Sequence, residues 1–221
     1  FIRTSRDTGA KIVMINGRIS PRSFKRYKLT SFFWKKILSE IVEIGAISVI
    51  DAERLKAMGM AESKIRVLGN AKYDSLAARA APALQEEIAR RLNVRPDEKF
   101  LVAGSTHEGE DRIVLDTYRS VLAQYPQFRL IIVPRHPERG QDVFSLAQEA
   151  GFSDSVKMSE INKGSQRLDE RVIVVDVIGE LFKLYSLASV VFCGGSLVPK
   201  GGQNILEPAA WGKVVFYGPS M

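Results

Sequence analysis

The 221-residue chain has few of the residues from which several kinds of site are built. Its single cysteine, Cys193, excludes a disulfide framework and argues against a cysteine metal cage. Neither His107 nor His136 has a second histidine at metal-binding spacing, so no metal site is expected. No apolar run approaches the roughly 20 residues that span a membrane. These shortages indicate a globular protein in which Cys193 is a core residue.

Acidic residues are missing from residues 18–36, which hold seven of the basic residues behind the net charge of +7. Five aromatic residues are interleaved with them, and three interpretations are open. Arginine with aromatic stacking is typical of nucleic-acid binding, whereas basic and aromatic residues together also suit an anionic membrane surface. The third is an ordinary amphipathic helix ending near residue 43, with aromatic residues in the core. The helical spacing of Phe33, Ile37, Ile41 and Ile44 favours it for the second half only. It leaves five cations unexplained: Arg18, Arg22, Lys25, Arg26 and Lys28.

The order of apolar runs predicts an α/β fold with a domain boundary near residue 85. Short elements alternate before the boundary, and an alanine- and glutamate-rich stretch surrounds it. After it, apolar runs alternate with amphipathic stretches, which predicts a parallel sheet covered by helices on both faces. The expected strands are residues 100–103, 129–133, 172–175, 190–193 and 214–217, and the expected helices are 108–124, 142–150, 180–187 and 204–211.

One glycine-rich loop, residues 194–202, follows the predicted strand that contains Cys193. Glycine lets backbone approach a ligand, and Asn204 is placed to cap a following helix that begins at Ile205. Free N–H groups and a helix N-terminus together favour an anion. Glu207, in the first turn, is suited to bind a sugar diol. The alternative is a tight turn in which Glu207 only complements the helix dipole.

Three further polar loops follow predicted strands. In residues 104–111, Ser105 and Glu108 have capping-box spacing. In residues 134–139, Arg135 is placed to hold a phosphate. Residues 176–180 begin a helix. His107 and His136 either touch a ligand or shape their loops. If the strands are neighbours, all four loops meet at the carboxyl edge of the sheet, which suits a nucleotide-linked ligand, although the Walker and Gly-x-Gly-x-x-Gly motifs are absent.

These loops resemble those of the bacterial 3-deoxy-D-manno-octulosonic acid (Kdo) transferases of lipopolysaccharide synthesis. The matching motifs are Ser-Thr-His-Glu-Gly-Glu at 105–110, Pro-Arg-His-Pro-Glu-Arg at 134–139, Gly-Glu-Leu at 179–181, and Gly-Gly-Ser-Leu-Val with Gly-Gly-Gln-Asn-Ile-Leu-Glu-Pro in 194–208. Weaker similarity covers residues 16–20 and 69–74. Gln203 stands where the family usually has histidine, which weakens the case for a catalytic histidine there.

The resemblance implies a GT-B fold of two Rossmann-like domains. Residues 1–85 correspond to the later part of the acceptor-side domain, with its beginning missing, and residues 86–221 to the CMP-Kdo-binding domain. CMP-Kdo is then the donor substrate, without a further cofactor. The implied CMP contacts are Pro134, Arg135, Ile178, Gly179, Glu180, Asn204, Ile205, Leu206 and Glu207. Additional donor contacts are expected among Ser105, Thr106, His107, His136, Gly195 and Gly202.

The resemblance also implies a lipid A precursor as acceptor, at the cytoplasmic face of the inner membrane. The five unexplained cations are expected to face this acceptor and the anionic membrane rather than nucleic acid. The family's general base, a glutamate, and any membrane anchor are expected upstream of Phe1. On this hypothesis the chain binds CMP but lacks the base for transfer.

Two other functions fit parts of the sequence. The first is another GT-B enzyme, a transferase or epimerase that uses a UDP donor. The second is a non-enzymatic module that binds polyanions or membranes through the basic stretch. Such a module predicts steep salt dependence and has no use for four coordinated loops.

Overall fold

The computed structural model describes residues 2–221, with the side chain of Arg3 excepted. The chain forms two compact units, Phe1–Ser75 and Leu76–Met221. Within the described part, no helix combines the length and apolar character needed to cross a membrane.

The first unit is built on a small parallel sheet with strand order β1-β2-β3. Its core contains Leu38, Ile41, Ile44 and Leu55, all at most 5% exposed. The strands are β1 (Val13–Gly17), β2 (Glu43–Ala46) and β3 (Ile65–Val67). The helices are α1 (Ile2–Asp7), α2 (Pro21–Leu29), α3 (Ser31–Leu38) and α4 (Val49–Ala57), and α5 (Ala71–Arg79) leads into the second unit.

The single helix predicted up to residue 43 is wrong. Thr30, at φ −111° and ψ 28°, leaves helical conformation and separates α2 from α3. The chain then joins the sheet, since the Val42 N–H donates to the Ile12 carbonyl at 2.8 Å. Ile41 and Ile44 are buried as expected, but they lie outside the helix, and Phe33 is half exposed. The aromatic residues are therefore only partly explained by core packing.

The second unit contains a six-stranded parallel sheet with the order β6-β7-β5-β4-β8-β9. The strands are β4 (Lys99–Thr106), β5 (Phe128–Pro134), β6 (Ser155–Lys157), β7 (Val172–Val174), β8 (Ala188–Cys193) and β9 (Val214–Phe216). The helices are α6 (Pro82–Arg91), α7 (Glu110–Gln124), α8 (Gly140–Glu149), α9 (Met158–Asn162), α10 (Leu181–Leu184) and α11 (Leu206–Ala210). The predicted α/β class and parallel sheet are confirmed, while β6 and α9 were not foreseen.

Each face of this sheet has its own apolar core. Along β5, Leu130 and Ile132 belong to the cluster beneath α7, whereas Ile131 and Val133 belong to the cluster beneath α6 and α10. Burial on both faces is what a parallel sheet requires. At β8, Cys193 is 1% exposed. The helices thus cover both faces of the sheet, and the carboxyl ends of the strands are left uncovered.

The division between the units lies ten residues before the boundary suggested near residue 85. That boundary falls inside α6, which packs entirely within the second unit: Ile88 and Leu92 are fully buried in the core shared with β4 and β5. The alanine-rich composition conceals the two apolar positions that attach α6 to the sheet.

Candidate functional site

A cavity of about 360 Å³ opens at the carboxyl ends of β4, β5 and β7. Three of the four predicted loops meet there, as their parallel, neighbouring strands require. The predicted site residues that line it are Ser105, Pro134, Arg135, His136, Ile178 and Gly179. The structure therefore joins loops separated by more than 70 positions in the sequence.

Arg135 is the cation at this cavity. Its backbone N–H donates to the Thr106 carbonyl at 2.9 Å, which fixes the β5 loop against the β4 loop. Its side chain is exposed and has no carboxylate partner among the described side chains. Arg139 differs, because it pairs with the buried Asp111. Arg135 is thus available to an anionic ligand.

The Glu180 side chain does not line the cavity, and its implied contact with CMP stays a prediction. Its carboxylate is 15% exposed and accepts a hydrogen bond of 2.8 Å from Arg91 of α6, with Lys183 at 3.9 Å. Ile178 and Gly179 carry the contact surface of this motif. Gly179 has φ +90°, so glycine is required for this turn, and Ile178 is 85% exposed.

The amides of the glycine-rich loop are not free. The carboxylate of Glu110, the first residue of α7, is fully buried and accepts from the N–H groups of Gly195, Ser196 and Leu197 at 2.6, 3.0 and 2.9 Å. It also accepts from the His107 N–H at 2.9 Å. Three of the loop amides that were predicted to face an anion are therefore occupied by the protein's own carboxylate.

The β4 loop also differs in detail from its predicted form. Gly109, at φ +90°, is the N-cap of α7, and Glu108 is exposed, so the proposed capping box is not formed. Thr106 is fully buried and donates through Oγ1 to Asp111 at 2.6 Å. Thr106 thus stabilises the loop and has no surface for a donor contact. Sequence spacing alone did not distinguish Glu108 from Glu110.

His107 connects the cavity with the glycine-rich loop. Its ring centroid lies 6.1 Å from that of His136, and its Nε2 lies 3.3 Å from Nε2 of Gln203. Burial lowers the pKa of His107, and the nearby charges of Lys200, His136 and Arg135 lower it further, against the opposing effect of Glu110. These effects favour the neutral form of the ring. Lys200 was not among the predicted site residues.

The glycine-rich loop turns back on itself beside His107. The Gly202 N–H donates to the Gly195 carbonyl at 2.8 Å. A Cβ added at Gly195 would lie 3.2 Å from Gln203 Nε2 and 3.3 Å from His107 Cδ2. Gly195 and Gly202 thus shape the loop, and Gln203 is the side chain that joins it to the β4 loop.

The fourth loop does not line the cavity. The N-cap of α11 is Ile205, so the helix begins one residue later than predicted. Asn204 still satisfies one of its first amides, because Oδ1 accepts from the Leu206 N–H at 3.1 Å. Its Nδ2 donates to Glu207 at 3.3 Å. These residues follow Gln203 directly, and Gln203 contacts His107 of the β4 loop. This contact is their connection to the site.

In the first unit, the five unexplained cations are all exposed. They are Arg18, Arg22, Lys25, Arg26 and Lys28, and none forms an ion pair within the part of the chain that the structure describes. Leu29 and Phe32, beside them, are 84% and 79% exposed. This surface therefore combines unneutralised positive charge with exposed apolar side chains.

Comparison with known proteins points to one family. Residues 1–75 match the family model described as 3-deoxy-D-manno-octulosonic-acid transferase (kdotransferase). The chain is 36% identical over 218 residues to a bifunctional glycosyltransferase/methyltransferase of Fusobacterium nucleatum, covering 99% of this chain and 33% of that protein. It is 34% identical over 214 residues to the 3-deoxy-D-manno-octulosonic acid transferase of Haemophilus influenzae, covering 93% of this chain and 47% of that protein. The chain thus spans between a third and about half of these relatives.

A solved structure is similar to about two thirds of the chain. The C-terminal CMP-Kdo binding domain of WaaA from Acinetobacter baumannii superposes with a TM-score of 0.55 at 29% identity, covering 66% of this chain and 72% of that domain. This likeness agrees with the six-stranded parallel sheet and confirms the GT-B, Rossmann-like fold class. Residues 1–75 thus match the 3-deoxy-D-manno-octulosonic-acid transferase family model, and nearly the whole chain is similar to part of proteins that bear this name.

Proposed function

We propose that the second unit binds CMP-Kdo and serves the transfer of Kdo to a lipid A precursor. The observation that carries this proposal is the cavity at the carboxyl ends of β4, β5 and β7, with Arg135 unpaired among the described residues at its rim. Support comes from the Acinetobacter baumannii relative, which is a CMP-Kdo binding domain.

The cavity suits a cytidylate in chemistry. Arg135 provides charge-assisted hydrogen bonds to the phosphate, and the exposed face of Ile178 offers an apolar surface to the base. Glu207, near the start of α11, is suited to hydrogen bond the ribose diol. In the reaction, a general base takes the proton of an acceptor hydroxyl, whose oxygen attacks the anomeric carbon of Kdo. The bond from that carbon to the phosphate oxygen breaks, and CMP leaves with the electron pair. Arg135 stabilises the charge that develops on the departing phosphate.

The test is calorimetric titration of the 221-residue chain with CMP. We expect saturable binding, weakened roughly tenfold to a hundredfold by Arg135→Ala, since a hydrogen bond between charged groups contributes about 1.5–3 kcal/mol. Arg112→Ala is the matched control, because Arg112 is exposed on α7 and does not line the cavity. UDP in place of CMP tests the alternative donor. Absence of CMP binding by folded protein, or equal binding by Arg135→Ala, would contradict the proposal.

We further propose that the basic surface of the first unit contacts anionic lipid at the cytoplasmic face of the inner membrane. Its support is the combination of unpaired cations among the described residues with the exposed Leu29 and Phe32. A basic residue near an anionic surface contributes about 1 kcal/mol.

Co-sedimentation with phosphatidylglycerol-containing vesicles tests this surface. Replacing Arg22, Lys25 and Arg26 together by glutamate is expected to reduce the bound fraction at least tenfold, and 0.5 M salt should have a similar effect. Matched replacement of the exposed Arg90, Arg112 and Lys163 of the second unit should leave binding nearly unchanged. Equal loss in both triple variants would show that only net charge matters and would overturn the assignment.

A further inference from the structure

On the basis of the proposed function, we propose that Ser105 is a phosphate-binding residue of the CMP site, whose hydroxyl donates a hydrogen bond to the phosphate beside Arg135. Ser105 is the penultimate residue of β4 and lines the cavity together with Arg135. Its backbone has φ +57°, in the left-handed region that residues other than glycine and asparagine rarely adopt. Unfavourable backbone conformations of this kind cluster at ligand sites, where the surrounding structure maintains them.

Ser105 is the extra residue of a β-bulge at the end of β4. Gly104 is paired with Val133 of β5, and Thr106 is paired with the next residue of β5, Pro134. Two steps along β4 therefore match one step along β5, and Ser105 is left without a partner in the ladder. A bulge bends its strand and redirects the side chain of the inserted residue, and bulges are frequent beside active sites.

Hydrogen bonds to both neighbouring strands hold this bulge in place. The Gly104 carbonyl accepts from the Gly194 N–H at 2.8 Å on the β8 side, and the Thr106 carbonyl accepts from the Arg135 N–H at 2.9 Å on the β5 side. A Cβ added at Gly194 would lie 2.3 Å from the Ser105 carbonyl oxygen, so the backbone after β8 packs directly against Ser105. The surrounding sheet therefore fixes the conformation of Ser105 before any ligand binds.

The fold accounts for the other left-handed residues but not for the side chain of Ser105. Among the described residues, Asn16 and Asn93 are the other non-glycine residues with positive φ. Asparagine tolerates this conformation, and both side chains form hydrogen bonds of 3.0 Å, Asn16 with the Ala71 N–H and Asn93 with the Arg167 carbonyl. The Ser105 hydroxyl has no hydrogen-bond partner in the described part of the chain. Glycine would adopt the same backbone at lower cost, so the serine indicates a use for its hydroxyl in the cavity.

A hydroxyl beside a guanidinium is suited to a phosphate. Arg135 supplies the charge, and Ser105 supplies a neutral donor on a rigid strand end, so that the two side chains can each bind a phosphate oxygen. The neighbouring hydroxyl of Thr106 is not available, because it donates to the buried Asp111. The phosphate gains negative charge as CMP leaves, and a donor already held in position stabilises that charge without reorganisation.

The test measures CMP affinity and stability of Ser105→Ala and Ser105→Gly in the 221-residue chain. Both variants lack the hydroxyl, so we expect both to bind CMP roughly tenfold less tightly, as for the loss of a hydrogen bond to a charged group. Ser105→Gly also relieves the backbone strain and should raise the urea midpoint by roughly 0.3 M or more. Ser105→Ala should leave the midpoint nearly unchanged. A variant that is more stable and yet binds less tightly would not result from a purely structural role of Ser105.

A second ligand and a control variant make the test specific. Cytidine lacks the phosphate, so Ser105→Ala should bind cytidine as tightly as the wild type does. Asn93→Gly is the control for the backbone change, because Asn93 is left-handed at φ +47° and does not line the cavity. This variant should keep the CMP affinity of the wild type.

The outcomes separate this inference from the proposed function. If the folded wild type does not bind CMP, the proposed function is wrong and the role of Ser105 is wrong with it. If Arg135→Ala weakens CMP binding while both Ser105 variants bind CMP like the wild type, only the role of Ser105 is overturned. Equal weakening of CMP and cytidine binding by Ser105→Ala would place the hydroxyl at the nucleoside and would overturn the phosphate contact. Weakening by Ser105→Gly alone would show that backbone geometry rather than the hydroxyl matters, which would also overturn it.

Discussion

Glu110→Gln is expected to destabilise the second unit by about 3 kcal/mol or more, because it removes a buried carboxylate that accepts four backbone N–H groups. A glutamine has one carbonyl oxygen in place of two acceptors. Its amide group would point N–H bonds at N–H donors, which leaves buried donors without partners. The cost falls on the connection between the β4 and β8 loops, and the β4 loop also borders the proposed CMP site.

Chemical denaturation followed by tryptophan fluorescence measures this effect. Glu108→Gln is the matched control: Glu108 is exposed two residues away, so its substitution should leave the midpoint almost unchanged. Glu110→Asp keeps the charge but shortens the side chain, and an intermediate loss is expected. A loss below about 1 kcal/mol for Glu110→Gln would mean that the amides find other partners on folding. CMP titration of the same variants then shows whether the loops must be joined for binding.

The parts of this site that are local in sequence could be predicted, and the parts that depend on pairing of distant loops could not. Strand periodicity and polar residues at strand ends placed Arg135, His136 and Ile178 at one edge, because neighbouring parallel strands bring their carboxyl ends together. The contact between Glu110 and Gly195 joins residues 85 positions apart and depends on β4 and β8 being neighbours. A glutamate in the first turn of a helix otherwise indicates only a favourable dipole interaction.

Short elements were missed for a related reason. β6 has three residues, and Ser155 and Lys157 flank its one apolar position, so no periodic signal distinguishes it from a loop. No glycine or proline marks the position at Thr30 where α2 ends and α3 begins, so the sequence did not indicate a break there.

A buried charge cluster lies at the amino ends of the strands, away from the carboxyl edge. No sequence motif predicted it. Glu98 and Arg167 have fully buried side chains, and Arg167 Nη1 and Nη2 donate to the two Glu98 oxygens at 2.9 and 2.6 Å. Arg129 Nε lies 3.0 Å from the same carboxylate as an ion contact without hydrogen-bond geometry, and Arg95 donates to it at 3.1 Å. One carboxylate therefore connects the start of β4, the start of β5 and the segment before β7.

Glu98→Gln is expected to cost about 3–5 kcal/mol, the usual effect of leaving a buried charge without its partner. Arg167 would keep the carbonyls of Leu92 and Glu170, both beyond 3.0 Å, and one neutral amide oxygen in place of the charged carboxylate. Asp116→Asn is the control, because Asp116 is 49% exposed on α7, pairs with the exposed Arg112 and Arg119, and should change the urea midpoint little. The double variant Glu98→Gln with Arg167→Met should recover part of the loss, since it also removes the stranded cation. A double variant as unstable as the two single losses added together would contradict a direct coupling.

The same carboxylate sets an expected acid limit on stability. Burial alone would raise the pKa of Glu98, but the hydrogen bonds from Arg167 and from the Arg95 N–H hold that pKa below its ordinary value. The unfolded chain therefore binds the proton more readily than the folded one. The contribution of Glu98 is fully present above about pH 4.5 and is lost as the pH falls through the lowered folded-state value. Unfolding free energies measured from pH 6 to pH 3 should fall steeply in the wild type and less steeply in Glu98→Gln, and parallel curves would show that other carboxylates govern acid unfolding.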